Sequence, residues 1–469
     1  MVLRPPRTKD LREIEKWEDE VSRQISYSKI VVGGPDAEVG DLEIKMAMES
    51  KNPDSSDNLS FPWVDVRNFG TGDNGVAIQT AIDSVSPGYA PGGIILAPIG
   101  TFLCTIGLVN NDRRITLTGL GINQTILKKN ANNIDLVRMN VCYESLWQKI
   151  KDMTFDGNGR TGGSLLYLSQ TNYIKLENLY LTGSESDVSA LHLYQATGTI
   201  LQDVYIFWNK KTAYFEAVHG CKIYNMKVGP RDGIAAADDV DFYNAANTAL
   251  YGFNQSTGAG GLTIRDCGNF AIYDMYQETP LQVPAITIGT GANPNSWGVS
   301  INGVNGTVTP GVNNGPFIKA QYCQGLAIRD VELAGSQPVP YTGGWIKLGA
   351  GVQGVTIENV IAWNMSAAYT SAVDLIFSDA GDGPTNVTID NVNAYNVGGT
   401  ATINLKMTNG RISNTNVLVN LRMGSYNNVL INCSAQIQIQ ATCDRTTLIN
   451  CSGTIIDYGT NTVRINSPG

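Results

Sequence analysis

Charge is scarce in this chain: Asp, Glu, Lys and Arg make up 16% of its 469 residues, and only two residues are histidine. So few histidines speak against histidine-centred acid–base or zinc chemistry. The net charge of −9 excludes a sequence-independent grip on nucleic acid, which needs Lys and Arg along the phosphate track. Neutral or basic glycans remain open as partners. The eight cysteines, at 104, 142, 221, 267, 323, 433, 443 and 451, form no CxxC or Cys/His metal spacing. They read as buried free thiols of a reducing compartment, and no metal or cofactor is expected. Long apolar runs are also missing: no stretch reaches the ~18 residues of a membrane span. The start Met1-Val2-Leu3-Arg4-Pro5-Pro6-Arg7 has no apolar core of a signal peptide, so neither membrane insertion nor secretion by that route is expected.

What is present suits many short strands joined by tight turns. Hydrophobic residues reach 42%, enough for a sizeable core, and Gly numbers 50; Asn, Thr and Ser fill much of the remainder. Only the start breaks this pattern. Residues 8–25 are helix formers with Leu11, Ile14, Trp17, Val21 and Ile25 on one face, an amphipathic helix too short to stand alone. Its stripe packs on the body, on copies of itself or on a partner. Residues 1–30 are therefore read as a helical head for docking, oligomerisation or particle anchoring. Residues 31–62, with Gly33-Gly34-Pro35 and Pro53-Asp54-Ser55-Ser56 and no clean period, read as a linker.

From about residue 148 one spelling recurs: apolar, any, Asn or Asp, apolar. It appears as Ile150-Lys151-Asp152-Met153, Leu176-Glu177-Asn178-Leu179, Leu201-Gln202-Asp203-Val204 and Ile223-Tyr224-Asn225-Met226. It returns at Asp266, Asp330, Asn359, Asn391, Asn432 and Asn450, with a period of a solenoid coil and longer gaps that read as a degenerate coil and an inserted loop. Short strands alternate inward apolar and outward polar residues, and the bend between two strands needs a residue that tolerates left-handed backbone. After Gly, Asn and Asp do this best. Their repetition is therefore turn chemistry before it is catalysis, and Cys267, Cys433 and Cys451, just after the bend, read as core. The fold class is all-β, a right-handed parallel β-helix over 63–469 with a capping helix and first coils in 63–130.

Three consecutive elements then carry a resemblance. Asp65-Val66-Arg67-Asn68-Phe69-Gly70-Thr71-Gly72-Asp73 leads into Ala77-Ile78-Gln79-Thr80-Ala81-Ile82, then Gly92-Gly93-Ile94-Ile95-Leu96-Ala97-Pro98, then Gly119-Leu120-Gly121 with Thr125. This resembles the opening of the pectate-lyase-like β-helix superfamily, in the branch of phage tailspikes and rhamnogalacturonase-like or epimerase-like domains. The match covers about 65 residues, and beyond it only the period is shared. Physically, Gly72-Asp73 can start a helix with a carboxylate near its positive end, and Ile78, Ala81, Ile82 and Val85 give it an apolar face to plug the solenoid. The family's Asp-Asp-Thr stretch before this helix is absent. The head also resembles phage tail proteins in which a polar helix precedes the β-helix. The resemblance implies a homotrimer in a virion tail, assembled in the host cytoplasm and attached to other tail or baseplate proteins through its head. Such a protein binds, and often cuts, host surface polysaccharide.

Alternation gives the residues expected to face outward over the coils: Tyr167; His192 and Tyr194; Tyr214 and Glu216; Tyr251; Lys319 and Gln321; Trp345 and Lys347; Asp374; Asn404 and Lys406. Flat rings offer CH-binding faces to sugars, so Tyr167, His192, Tyr194, Tyr214, Tyr251, Trp345 and Lys347 are the candidate substrate-binding set. The same rings would equally suit packing against a neighbouring subunit or loop. Glycoside hydrolysis needs two carboxylates, and Glu216 with Asp232 or Asp239 would sit about one coil, ~4.8 Å, apart. These three are the candidate catalytic residues, with solvated turn acids as the bland alternative. The polygalacturonase-like site does not transfer: His219-Gly220 precedes Asp238-Asp239, and no Arg-x-Lys follows in the later coils. A lyase base is available among Lys210, Lys211, Lys222 and Lys227, but no acidic calcium cage accompanies them. Three readings follow: a tailspike depolymerase, a non-catalytic receptor-binding or structural tail subunit, and a cellular pectin-active hydrolase, lyase or epimerase.

Overall fold

A computed structural model describes residues 63–468 apart from 70–73, 86–92, 112, 143–147, 231–239, 257–260, 279–283, 290–295, 309–315, 336–344, 364–372, 379–382 and 396–399. The expected head and linker, and Gly72 and Asp73 before the capping helix, lie outside the described residues.

The chain winds as a right-handed parallel β-helix. Each coil gives one strand to a 15-stranded sheet and the rest of its extended chain to a 22-stranded sheet that bends over a corner. Pairing is parallel and in register, so Leu176 lies between Ile150 and Leu201, and inward side chains form columns along the axis. Leu166, Leu191, Ala213, Val240, Leu262 and Ile286 are one such column, every member buried. Alternation of period two decides this: one residue slip would turn a whole column outward.

All ten Asn and Asp residues of the recurring spelling have positive φ, between 50° and 57°. Nine of them share one corner of the 22-stranded sheet, and the ladder there is denser than the spelling suggested. Gly252, Asp274, Gly303 and Asn414 also carry positive φ and fill the apparent gaps: Ile272-Tyr273-Asp274-Met275 is a further copy of the same spelling, Gly meets the same backbone demand, and Thr415 replaces the apolar residue after Asn414. Asp266 is the exception: it ends a strand of the 15-stranded sheet and belongs to another corner. Amides link successive rungs, as in Asn178 Nδ2 to Asp152 Oδ1 (2.8 Å), Asn359 Nδ2 to Asp330 Oδ1 (2.9 Å) and Asn391 Nδ2 to Asn359 Oδ1 (2.8 Å). Coils run from 32 residues between Asn359 and Asn391 to 16 between Asn450 and Asn466.

The two ends of the described solenoid are closed by different chemistry. At the first coils, helix α1 (Asn74–Ser84) buries Ile78, Ala81 and Ile82 against the core. Gln79 acts there as a surrogate strand. Its Nε2 donates to the Val109 carbonyl (2.9 Å) and its Oε1 accepts from the Val109 amide (2.7 Å), satisfying the edge that the first strand of the 15-stranded sheet would otherwise expose. At the last coil the interior turns polar. Asp457 lies over Ile439 and Arg464 over Leu448, and the Ser467 hydroxyl accepts from the Cys451 amide (3.0 Å). Arg464 and Asp457 pair at 3.4 Å, and Asp457 Oδ1 also accepts from the Gly459 amide (2.9 Å).

Candidate functional site

The outward face of the 15-stranded sheet is read column by column. Its first column runs Val109, Arg138, Tyr167, His192, Tyr214, Asp241, Thr263, Thr287, Lys319, Lys347, Phe377, each paired in register with the next. A second column, two residues on, holds Asn140, Ser169, Tyr194, Glu216, Tyr243 and Arg265. Rings and charges thus concentrate between Arg138 and Arg265. With a rung spacing of ~4.8 Å, this stretch is about 24 Å long.

The contacts within it are specific. Arg138 lies over the Tyr167 ring at 4.6 Å and pairs with Asp135 at 3.4 Å. Tyr167 meets His192 edge-on at 4.8 Å, and His192 tilts against Tyr214 at 5.2 Å. Farther along, Arg265 pairs with Asp241 and lies over the Tyr243 ring at 5.2 Å. Beneath, Phe215 and Phe242 stack at 4.3 Å and are fully buried, which gives the face a rigid floor. Burial, with the nearby Arg138 charge, lowers the His192 pKa below its ordinary value while Asp135 partly restores it. The neutral ring keeps a buried Nε2 without a hydrogen-bond partner. Tyr214 is shifted upward, first by burial and then by the Glu216 and Asp241 carboxylates, so its hydroxyl stays protonated.

Of the residues chosen from the sequence, Tyr167, His192, Tyr194, Tyr214 and Glu216 therefore come together on one face. Three do not join them. Tyr251 lies in the 22-stranded sheet, stacked between Tyr224 (4.9 Å) and Tyr273 (5.0 Å); the strand its coil gives to the other sheet is Val240–Tyr243. Trp345 is core, 1% exposed. It precedes the strand Ile346–Leu348 at a corner where the chain turns inward, as do the buried Leu136, Leu165, Ala190, Ala285 and Phe317 in other coils. Strict alternation carried back across that corner gives the wrong side. Lys347 does face outward, beside Lys319 and at 5.7 Å from the Phe377 ring, but four rungs beyond Asp241. Asp374, Asn404 and Asn420 near it form a hydrogen-bonded chain whose polar groups satisfy one another.

Asp232 and Asp239 lie outside the described residues. The carboxylate on the rung after Glu216 is instead Asp241, at the end of the same acidic segment; Tyr243, Arg138 and Arg265 were likewise not singled out. One more round of alternation, applied to Val240-Asp241-Phe242-Tyr243 as it was to Ala213-Tyr214-Phe215-Glu216, would have found Asp241 and Tyr243. Among the described residues no group of three or more His, Cys, Asp or Glu could hold a metal ion, and no helix is long and apolar enough to cross a membrane.

No family model matches the sequence and no curated protein matches it. Solved structures do resemble its fold. The tailspike of E. coli bacteriophage HK620 in complex with a pentasaccharide superposes with a TM-score of 0.54 at 11% identity, covering 85% of this chain and 80% of the tailspike chain. A double mutant of that tailspike gives 0.55 at 12% identity, over 86% and 78% of the two chains. The N-terminal fragment of bacteriophage Phi29 gene product 12 gives 0.53 at 11% identity, over 91% and 95%. At these identities the likeness is one of fold, a parallel β-helix.

Proposed function

We propose that the chain is a bacteriophage tail β-helix that binds host cell-surface polysaccharide along the Arg138–Arg265 face. The observation that carries this reading is the unbroken run Tyr167, His192, Tyr214 with Tyr194 and Tyr243 beside it, rings that are half-buried except for the exposed Tyr243, on a rigid floor and flanked by charged groups. Such a surface offers apolar faces to sugar CH groups and polar atoms to their hydroxyls. The likeness of fold to a phage tailspike that was solved with a pentasaccharide is in keeping with it. On this reading the protein is part of the virion, acts as a homotrimer and attaches to other tail proteins through residues 1–30. Light scattering of the intact chain tests the trimer, and a glycan array tests the ligand. A monomer by light scattering would remove the trimer from the proposal, and absence of any bound glycan would sink the proposal itself.

Cleavage is a second reading, favoured by one geometric fact. Glu216 and Asp241 stand on neighbouring rungs and two residues apart across the face, a backbone spacing of about 8 Å from rung and residue rises of ~4.8 and ~3.3 Å. Glycoside hydrolysis uses two carboxyl groups flanking one bond, and side chains from these two positions can reach the same sugar. On this reading the two carboxyl groups share the acid and base work on one glycosidic bond, with Asp241 held in place by Arg265. New reducing ends released from a bound polysaccharide, and lost in Glu216→Gln while binding persists, are the expected result. A bound polysaccharide that stays intact would leave the binding reading alone.

A further inference from the structure

We propose that Glu216 sets the ligand class of this surface: an uncharged glycan whose hydroxyl groups donate to its carboxylate, with uronates and other anionic sugars excluded. The inference rests on the glycan-binding reading and narrows it.

Among the described residues three carboxylates border the face, and two are matched. Asp135 has Arg138 at 3.4 Å, and Asp241 has Arg265. Both guanidinium groups are also spent on rings, Arg138 over Tyr167 and Arg265 over Tyr243. Each cation is therefore held between a carboxylate and a ring, at opposite ends of the stretch. Glu216 stands between them. Among the described residues its carboxylate has no ion pair and no hydrogen bond, although it is half-buried, with Tyr194 and Tyr243 on the adjacent rungs and Tyr214 two residues before it on the same strand. Its charge is felt nearby, since it helps raise the Tyr214 pKa.

An ionised carboxylate accepts hydrogen bonds and donates none. Partly withdrawn from water and without a partner, it is a cost that donors in a ligand would offset, and such charge-assisted bonds are roughly twice as strong as neutral ones. A sugar hydroxyl supplies that donor. A uronate in the same place would bring a second negative charge within a few ångströms, on a chain that is already at −9. Neither arginine is free to neutralise it without leaving its own carboxylate.

The test is an array on which each acidic bacterial polysaccharide is printed twice, native and after reduction of its uronic acids to the neutral sugars, beside neutral polysaccharides. The intact chain is expected to bind neutral or reduced glycans at least about tenfold more tightly than the native acidic partner of the same pair, a difference of ~1.4 kcal/mol. Glu216→Gln, which keeps size and one acceptor, is expected to bring that ratio towards one. Its melting temperature should match that of the parent. Equal or tighter binding to the native acidic form, or an unchanged ratio in Glu216→Gln, overturns the assignment while leaving glycan binding in place. No binding to any printed glycan overturns the glycan-binding reading and this inference with it.

Discussion

At the scale of single residues, the left-handed corners make the sharpest demands. Asn359 has φ 57° and bridges two rungs, donating to Asp330 Oδ1 and accepting from Asn391 Nδ2. Asn359→Ala puts a Cβ without a compensating side chain into a conformation that costs ~1–2 kcal/mol for an ordinary residue, and it removes both amide bonds. Asn359→Gly keeps the backbone and loses only the bonds. Hydrogen exchange across residues 326–392 should therefore speed up more in the alanine variant than in the glycine one; equal effects would mean that backbone strain is not the main term. This much was legible in the sequence, because Asn or Asp recurring at a solenoid period marks a backbone that turns left-handed once per coil. Gly252 and Gly303 were not, since glycine occurs for many reasons. His192 gives the second residue-scale test. Its pKa is depressed, mainly by burial, so the unfolded chain binds its proton at a higher pH than the folded one. Stability is then complete above the ordinary value of ~6.5 and falls as pH drops from there towards the depressed native value. A parallel melting series should show this loss in the parent and a smaller one in His192→Phe; identical slopes would contradict a buried neutral ring.

Among the elements, the two closures differ in how visibly they are spelled. The capping helix was readable in advance, since Ile78, Ala81, Ile82 and Val85 repeat on one face before the first GG-strand. Its tie through Gln79 to Val109 was not, because that pairing joins positions 30 residues apart. The polar last rung was also missed: Ile455-Ile456-Asp457 and Val463-Arg464-Ile465 look like ordinary alternating strands until register puts Asp457 and Arg464 inward. Alternation alone has two phases, and only the neighbouring rung chooses between them. Asp457→Ala leaves Arg464 without its carboxylate above an apolar layer. Exchange at Ile437–Ile439 and Asp444–Ile449 should rise while coils before residue 400 keep their protection, as expected for an array stabilised by nearest neighbours. Uniform loosening along the whole solenoid would contradict the local role.

For the whole molecule, the stacked columns determine what can be reactive. The seven cysteines with described side chains are free and buried, and burial pushes Cys221, Cys267 and Cys323 up to about 12. A charged thiol reagent should label none of these seven in the native protein and all of them after denaturation; labelling of the folded chain would refute a closed core. The same architecture explains why fold was easier to read than site. A solenoid repeats its structural chemistry in every coil, whereas the candidate site is written once, on five or six rungs. It is assembled from strands whose phase must be right in each coil, and at Trp345 and Tyr251 a corner or a change of sheet broke the phase. The central claim is that the Arg138–Arg265 face binds glycan, and Tyr167→Ala, Tyr214→Ala and their combination test it most directly in titrations of the intact chain with a polysaccharide retained on the array. Each loss is expected to weaken binding about five- to tenfold, in line with ~1–1.4 kcal/mol for one aromatic contact, with the melting temperature of each variant confirming the fold. Undiminished affinity in the double variant would contradict the claim.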